Sequence, residues 1–474
     1  MPTPRRPSFL YFVLSALLLI SGTLTLAHAQ DWSRFRGPNG SGIALDAGYP
    51  TEFGPDRNLL WRAAVRPGKS SPVLSRRHIF LTAFDGGTLY TQCFDRETGR
   101  FLWERAEQPL RHEDAHVLNE PSAATPVTDG DNVYVFFRDL GVISYDPAGV
   151  RRWRRPMGPF SNRMGAVTSP IIAGTSLVMV LDQVERSSIV ALSLATGDVQ
   201  WTTPRTETDA WATPVLYQRA GGTQQIVTAG GGQYGAHDVD TGARLWTHKG
   251  LAPAIVASPV VVGDTVVGFG YGYDSTPAFS DTLAKMDSDR DGRLSLQESG
   301  TSAWLIGIAK YYGDRDGFIV EGEWMDAWAK TIAPSSLVAV ALEKDAAGGV
   351  SPREIWRYEK SFVAVVPSPL VLDGLVYTIK NGGILTVLNA DTGAVVKMGR
   401  VGAVPASYSA SPVTAEGRIY LANEDGTLAV LRAGKDWELL AANEIGEALY
   451  ATPALSQGRI VVRGAKSLFC FGTR

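Results

Sequence analysis

Residues 169–201 read SPIIAGTSLVMVLDQVERSSIVALSLATGDVQW, and this stretch decides the fold. Ser169-Pro170 opens an apolar run that stops at Gly174; a second run, SLVMVLDQ, and a third, SIVALS, follow before a Thr196-Gly197 turn and a last run ending in Trp201. Short apolar runs bounded by turn residues read as strands. The proline stands at the first residue of the first strand, where its missing N–H removes no ladder bond.

Working outward, the Ser/Thr-Pro-apolar opening recurs at Ser71, Thr125, Ser169, Thr213, Ser258, Ser368, Ser411 and Thr452, with proline-to-proline steps of 54, 44, 44, 45, 110, 43 and 41 residues. A second marker keeps phase with it, a Gly followed four residues later by Trp, as in Gly99/Trp103, Gly149/Trp153, Gly197/Trp201 and Gly242/Trp246. Lys397 replaces the Trp in the sixth unit, and Trp437 is one residue out of phase in the seventh. Four short antiparallel strands in a repeat of about 40–45 residues are the mark of a β-propeller blade. Only 21 residues follow Pro453, so the last blade lacks an outer strand, and Asn58-Leu59-Leu60-Trp61 near the other end offers one. The predicted fold is all-β: an eight-bladed propeller of four-stranded antiparallel blades closed by both termini, with a small helical insertion in blade five.

Composition agrees. Fifty Gly and 27 Pro favour many turns, and 45 basic against 48 acidic residues leave a formal charge of −3, without the basic stripe that nucleic acid requires. Cys93 and Cys470 fall in corresponding third strands of neighbouring blades, too few and too far apart for a disulfide scaffold, and are expected as buried thiols. A ring closed by its own termini is expected to be monomeric.

Arg5-Arg6, the apolar stretch Phe9 to Ile20 and Ala27-His28-Ala29 stand in the order of a secretory signal, with cleavage after Ala29. The arginine pair is one residue out of register for twin-arginine export, so ordinary secretion is the expectation. The product is expected to be periplasmic or secreted, without a membrane anchor. The chain thus divides into a signal (1–29), a lead-in (30–54), blades one to five in first part (55–273), an insertion (274–336), and the remainder to blade eight (337–474).

The 110-residue step contains Asp287-Ser288-Asp289-Arg290-Asp291-Gly292-Arg293-Leu294-Ser295-Leu296-Gln297-Glu298, an EF-hand loop with every position filled. Ca²⁺ takes six to eight oxygens, and Asp287, Asp289, Asp291, the Arg293 carbonyl, Ser295 through water and Glu298 supply them. Helices are expected over roughly 277–286 and 296–311. A second loop offers Asp314, Asp316, the Phe318 carbonyl and Glu323, but Tyr312 replaces its first carboxylate, so it is expected to bind weakly or to pair structurally, Ile319 with Leu294. Trp304, Trp324 and Trp328 are expected to form the small core between these helices.

The order of strands puts this insertion and the long 111–120 connection on one face. His112, His116, Glu120, Arg163 and Trp211 are candidates to line the central mouth there. His112-Glu113-Asp114-Ala115-His116 matches H-E-x-x-H, but it joins two strands and Pro121 follows at once, so zinc hydrolysis is not favoured.

The wording DRETGRFLW, SLATGDVQW and DVDTGARLW resembles the pyrroloquinoline-quinone (PQQ) type propeller repeat family over roughly residues 55–474 less the insertion. The resemblance implies the propeller fold, and either a quinone-dependent alcohol or sugar dehydrogenase or a non-enzymatic scaffold of the outer-membrane assembly type. For the dehydrogenase it implies an adjacent cysteine pair, a catalytic Asp and calcium in the funnel. No Cys-Cys exists. The expected function is therefore a calcium-binding scaffold for an envelope protein or a carbohydrate, with PQQ as the less favoured cofactor.

Overall fold

A computed structural model describes residues 32–473 apart from 114, 117, 209, 220, 347 and 360–365. The signal peptide expected at 1–29 lies outside the described residues. Eight four-stranded antiparallel sheets form the ring. Blade three, quoted above, comprises Ile171–Ala173, Ser176–Leu181, Ser188–Ser193 and Val199–Pro204. In blade eight, Leu59–Ala64 supplies the outer strand and pairs with Ser467–Phe471 near the other terminus. Cys93 and Cys470 are both free and buried.

Each blade is sandwiched between two others, so its middle strands must be apolar on both faces. In blade two, Val133–Phe137 and Gly141–Tyr145 are buried at every position, whereas the outer strand of blade three, Val199–Pro204, is exposed or half-buried throughout.

At the rim, the outer-strand Trp of one blade lies on the Thr-Gly turn of the next. Gly149 has φ 77°, and a Cβ there would stand 2.6 Å from the Trp103 ring, so only glycine fits. Trp103 Nε1 meanwhile donates to the Pro147 carbonyl at 2.9 Å. The same stacking joins Trp61 to Gly99, Trp153 to Gly197, Trp201 to Gly242 and Trp356 to Gly393. Lys397 substitutes for the missing Trp: its Nζ donates to the Trp437 carbonyl at 2.8 Å and sits 4.7 Å from the Trp437 ring centre. The two exceptions to the sequence pattern thus compensate one another.

At the axis, the Ser/Thr residues before the prolines are joined in a closed circle. The backbone N–H of Ser71 donates to the Thr125 hydroxyl, and the relay runs through Ser169, Thr213, Ser258, Ser368, Ser411 and Thr452 before Thr452 donates to Ser71. The bonds measure between 2.9 and 3.3 Å. All eight residues are buried.

Between blades three and four a buried ionic strut adds to this. Arg205 grips Asp182 at 2.6 and 3.0 Å, stands 3.3 Å from Glu207, and donates to His237 Nε2 at 3.2 Å, while His237 Nδ1 donates to the Gly242 carbonyl at 3.0 Å. That arrangement fixes a neutral imidazole, and burial holds its pKa down to about 4.

The insertion leaves the ladder of blade five intact, Gly270 pairing directly with Ser336. Its two ends zip together where Tyr273 N–H donates to Thr331 and Ala333 N–H to Tyr273. Three helices follow: α1 (Phe279–Met286), α2 (Ala303–Tyr311) and α3 (Glu321–Ala329). Helix α2 starts later than the sequence reading of 296 because Ser302 caps it, its hydroxyl accepting from Leu305 N–H. Leu294–Ser295 and Phe318–Ile319 pair antiparallel, with Leu294 opposite Ile319.

Removing one hydroxyl tests the axial circle. Ser258→Ala leaves the buried Thr213 N–H without an acceptor and is expected to cost about 1–3 kcal/mol, read as a lower urea midpoint at unchanged m. The strut gives a pH signature. His237 takes its proton at about 4 in the folded protein against roughly 6.5 unfolded, so stability falls as pH drops between those values. In His237→Gln, chemical unfolding is expected to show a shallower pH dependence across that window.

Candidate functional site

Above the hydroxyl circle lies a cavity of about 410 Å³. Side chains alternate along a strand, so residues two positions before each Ser/Thr face the same way. Those residues are Lys69, Ala123, Val167, Trp211, Val256, Val366, Ser409 and Tyr450, and every one of them lines the cavity. Phe35, from the lead-in, also lines it. His116, Leu118 and Asn119 border it from the 111–120 connection, and Arg163 from the connection between blades two and three. From the insertion come Trp304, Lys330 and Thr331, with Tyr271 and Tyr273 at its neck.

The connecting loops are mutually braced. Trp211 Nε1 donates to Asn162 Oδ1 at 2.9 Å and to the Gly165 carbonyl at 3.0 Å, and His116 N–H and the Asn119 side chain both donate to the Met164 carbonyl. The insertion spans the mouth to meet them. The Arg163 guanidinium lies 4.4 Å from the Trp304 ring centre and 5.2 Å from that of Tyr312, and Arg315 pairs with Glu185 of blade three at 2.5 Å.

The charged side chains of the lining are cationic, although Glu424, which accepts from the lining Ser409 at 2.5 Å, and Glu120 are close enough to act on Lys69. Lys69, Arg163 and Lys330 bring positive charge, and no Asp, Glu or Cys lines the cavity among the described residues. Partial burial lowers the Lys69 ammonium below its ordinary value. His116 contributes the imidazole, its Nδ1 accepting from Leu118 N–H at 3.2 Å.

Of the five predicted mouth residues, the structure brings His116, Arg163 and Trp211 together in the lining. His112 and Glu120 stand outside it. His112 is exposed, 3.8 Å from Asp139, and Glu120 accepts from the Ser122 hydroxyl. The two histidines of the H-E-x-x-H match therefore have separate surroundings, and no helix carries them among the described residues. Trp304 does two things: it packs on Trp328 in the helical core and shows a face to the cavity.

The loop over residues 287–298, read above as an EF-hand, is folded around its carboxylates. Asp287, Asp289 and Asp291 present oxygens within 4.8 Å of one another. Asp287 accepts from the N–H groups of Arg290 and Gly292, Asp289 from Asp291, and Asp291 from Arg293. Glu298 accepts from Ser295 and Ser288, bonds that hold its carboxyl down at about 2 and keep it ionised. These residues, with the Arg293 carbonyl and Ser295, fit a hard, oxygen-seeking cation. The second loop repeats this pattern without the first carboxylate: Glu323 accepts from Asp314 N–H and Val320 N–H, while Asp314 and Asp316 accept from Asp316 N–H and Phe318 N–H. Tyr312, where a first carboxylate would stand, faces Arg163 and Lys330 instead.

Comparison with known proteins follows from this geometry. The sequence profile of the family described as outer membrane protein assembly factor BamB matches residues 54–209 and 338–474. The chain belongs to this PQQ-type propeller family. Its match breaks around the insertion. Among solved structures, BamB from Moraxella catarrhalis is similar at 13% identity and a TM-score of 0.54, covering 88% of this chain and 99% of that one. A europium-containing methanol dehydrogenase is similar at 11% identity and a TM-score of 0.59, covering 94% and 99%. At these identities the likeness is one of fold. No curated protein sequence matches the chain. No described helix is long and apolar enough to cross a membrane.

If Tyr312 and Trp304 dock the insertion through Arg163, then Arg163→Ala loosens it. Limited proteolysis is expected to cut within 274–336 faster in this variant, while the circular dichroism of the sheets stays unchanged.

Proposed function

We propose that this protein is an exported, calcium-binding scaffold of the PQQ-type propeller family that holds an acidic segment of an envelope partner in its funnel and performs no redox chemistry. The observation that carries the reading is the character of the lining. Three cations, the aromatic faces of Trp211, Trp304 and Tyr450 and the Ser/Thr circle surround one cavity that no described carboxylate enters. Such a lining attracts an anionic chain by charge and gives it apolar faces to pack on.

The alternative from the same family is a quinone-dependent alcohol or sugar dehydrogenase, and the residues fit it poorly. Lysine and arginine suit the carboxylates of PQQ. However, the described lining offers no carboxylate to hold a cation beside the quinone or to take a proton from an alcohol, and no adjacent cysteine pair exists. Calcium belongs in this reading at Asp287, Asp289, Asp291, Arg293, Ser295 and Glu298, well away from any reacting centre, where it would stabilise the module that roofs the funnel. In this reading Asp314, Asp316, Phe318 and Glu323 have a structural part, because Tyr312 stands where the loop's first carboxylate would be.

Two measurements check this. Purified protein supplied with PQQ and Ca²⁺ is expected to show no dye-linked oxidation of alcohols or sugars above background; sustained quinone-dependent turnover would make the dehydrogenase reading correct. Addition of a chelator is expected to lower the melting temperature of the wild type by several degrees and to leave Asp287→Asn/Asp291→Asn unaffected, and an unchanged wild type would remove calcium from the account.

A further inference from the structure

The lead-in is a plug. The Trp32 carbonyl accepts from Leu74 N–H in blade one and the Ser33 carbonyl from Thr128 N–H in blade two. Arg34 donates to the Pro214 carbonyl in blade four at 2.5 Å. Arg36 donates to the Pro369 carbonyl in blade six at 2.8 Å and to that of Pro412 in blade seven at 3.5 Å. Four residues thus reach five blades, beside the Phe35 that lines the funnel.

Among the described residues no carboxylate pairs with the two guanidinia of this segment. Trp32 and Arg36 are fully buried and Arg34 is 6% exposed. Both guanidinia donate to uncharged backbone carbonyls. Four buried N–H donors of this segment have no acceptor among the described residues: Trp32 Nε1, Arg34 Nε, and both Nε and Nη1 of Arg36. Arginine does not shed its proton to escape burial, and an uncompensated buried charge is strongly unfavourable. Water would satisfy the donors and leave both charges standing, whereas a monovalent anion accepts from the donors and offsets one of the two charges.

We propose that the axial plug holds one small inorganic anion, a halide such as chloride, bound by the orphaned N–H groups of Trp32, Arg34 and Arg36. Two further observations agree. Arg36 keeps a left-handed backbone, φ 59°, a conformation that a residue with a Cβ holds only when its surroundings impose it. Burial, with the charge of Arg34 added, pulls the Arg36 guanidinium down to about 9, and burial alone does the same to Arg34.

The test is to refold the protein in bromide, exchange it by gel filtration into gluconate buffer and count retained bromide by mass spectrometry. About one bromide per chain is expected in the wild type and none in Arg36→Gln. Equal retention in both would place the ion elsewhere and overturn the proposal, as would no retention combined with identical melting temperatures in chloride and gluconate at one ionic strength. Should Arg36→Gln fail to fold, crystals of the wild type grown in bromide decide the matter: an anomalous peak among Trp32, Arg34 and Arg36 is expected, and its absence there overturns the assignment.

Discussion

The circle of eight amide-to-hydroxyl bonds at the axis is the constraint on which the rest depends. A propeller blade begins with a short inner strand crowded against its neighbours, and the amide before each proline has no ladder partner there. Placing Ser or Thr at that position lets each blade accept the amide of the blade before it, and the bonds close because the eighth blade returns to the first. Buried amides left alone are costly. The geometry also brings the residue two positions before each Ser/Thr to the axis, so the residues that close the ring and those that line the funnel are set by one alternation. Scaffold and site cannot be varied separately.

Much of this was legible in the sequence. The eight Ser/Thr-Pro triplets gave the blade count, and Trp61 gave the closure, because both are local patterns repeated in phase. The cluster of Asp287, Asp289 and Asp291 was equally plain, since the three stand within five consecutive residues. The reason for Ser or Thr was missed: proline explains itself within one strand, but the hydroxyl acts on a different blade. Lys69 and Tyr450 were missed for a related reason. Each lies two residues before its Ser/Thr, a signal available once that position is known to face the axis, whereas candidates chosen by residue type in long connections included His112 and Glu120, which are not in the lining. Arg34 and Arg36 were not legible at all, because their partners lie 180 and more than 300 residues away.

The insertion changes what the ring can do. It roofs the funnel from blade five and rests on blades two and three through Arg163 and Glu185, while the lead-in closes the channel below. Access is thereby narrowed to one side, and the enclosed space combines positive charge with aromatic faces. Its degenerate second loop fits this role, as Tyr312 exchanges a metal ligand for a docking contact.

The central claim, that the funnel receives an acidic partner segment, is tested most directly by a photo-crosslinking amino acid at position 450, activated in intact cells, with adducts identified by mass spectrometry. The account predicts adducts to a segment of another envelope protein rich in Asp and Glu, lost when Lys69 and Arg163 are both changed to Glu. Adducts confined to this chain's own insertion, or a partner captured equally well by the charge-reversed protein, would contradict it.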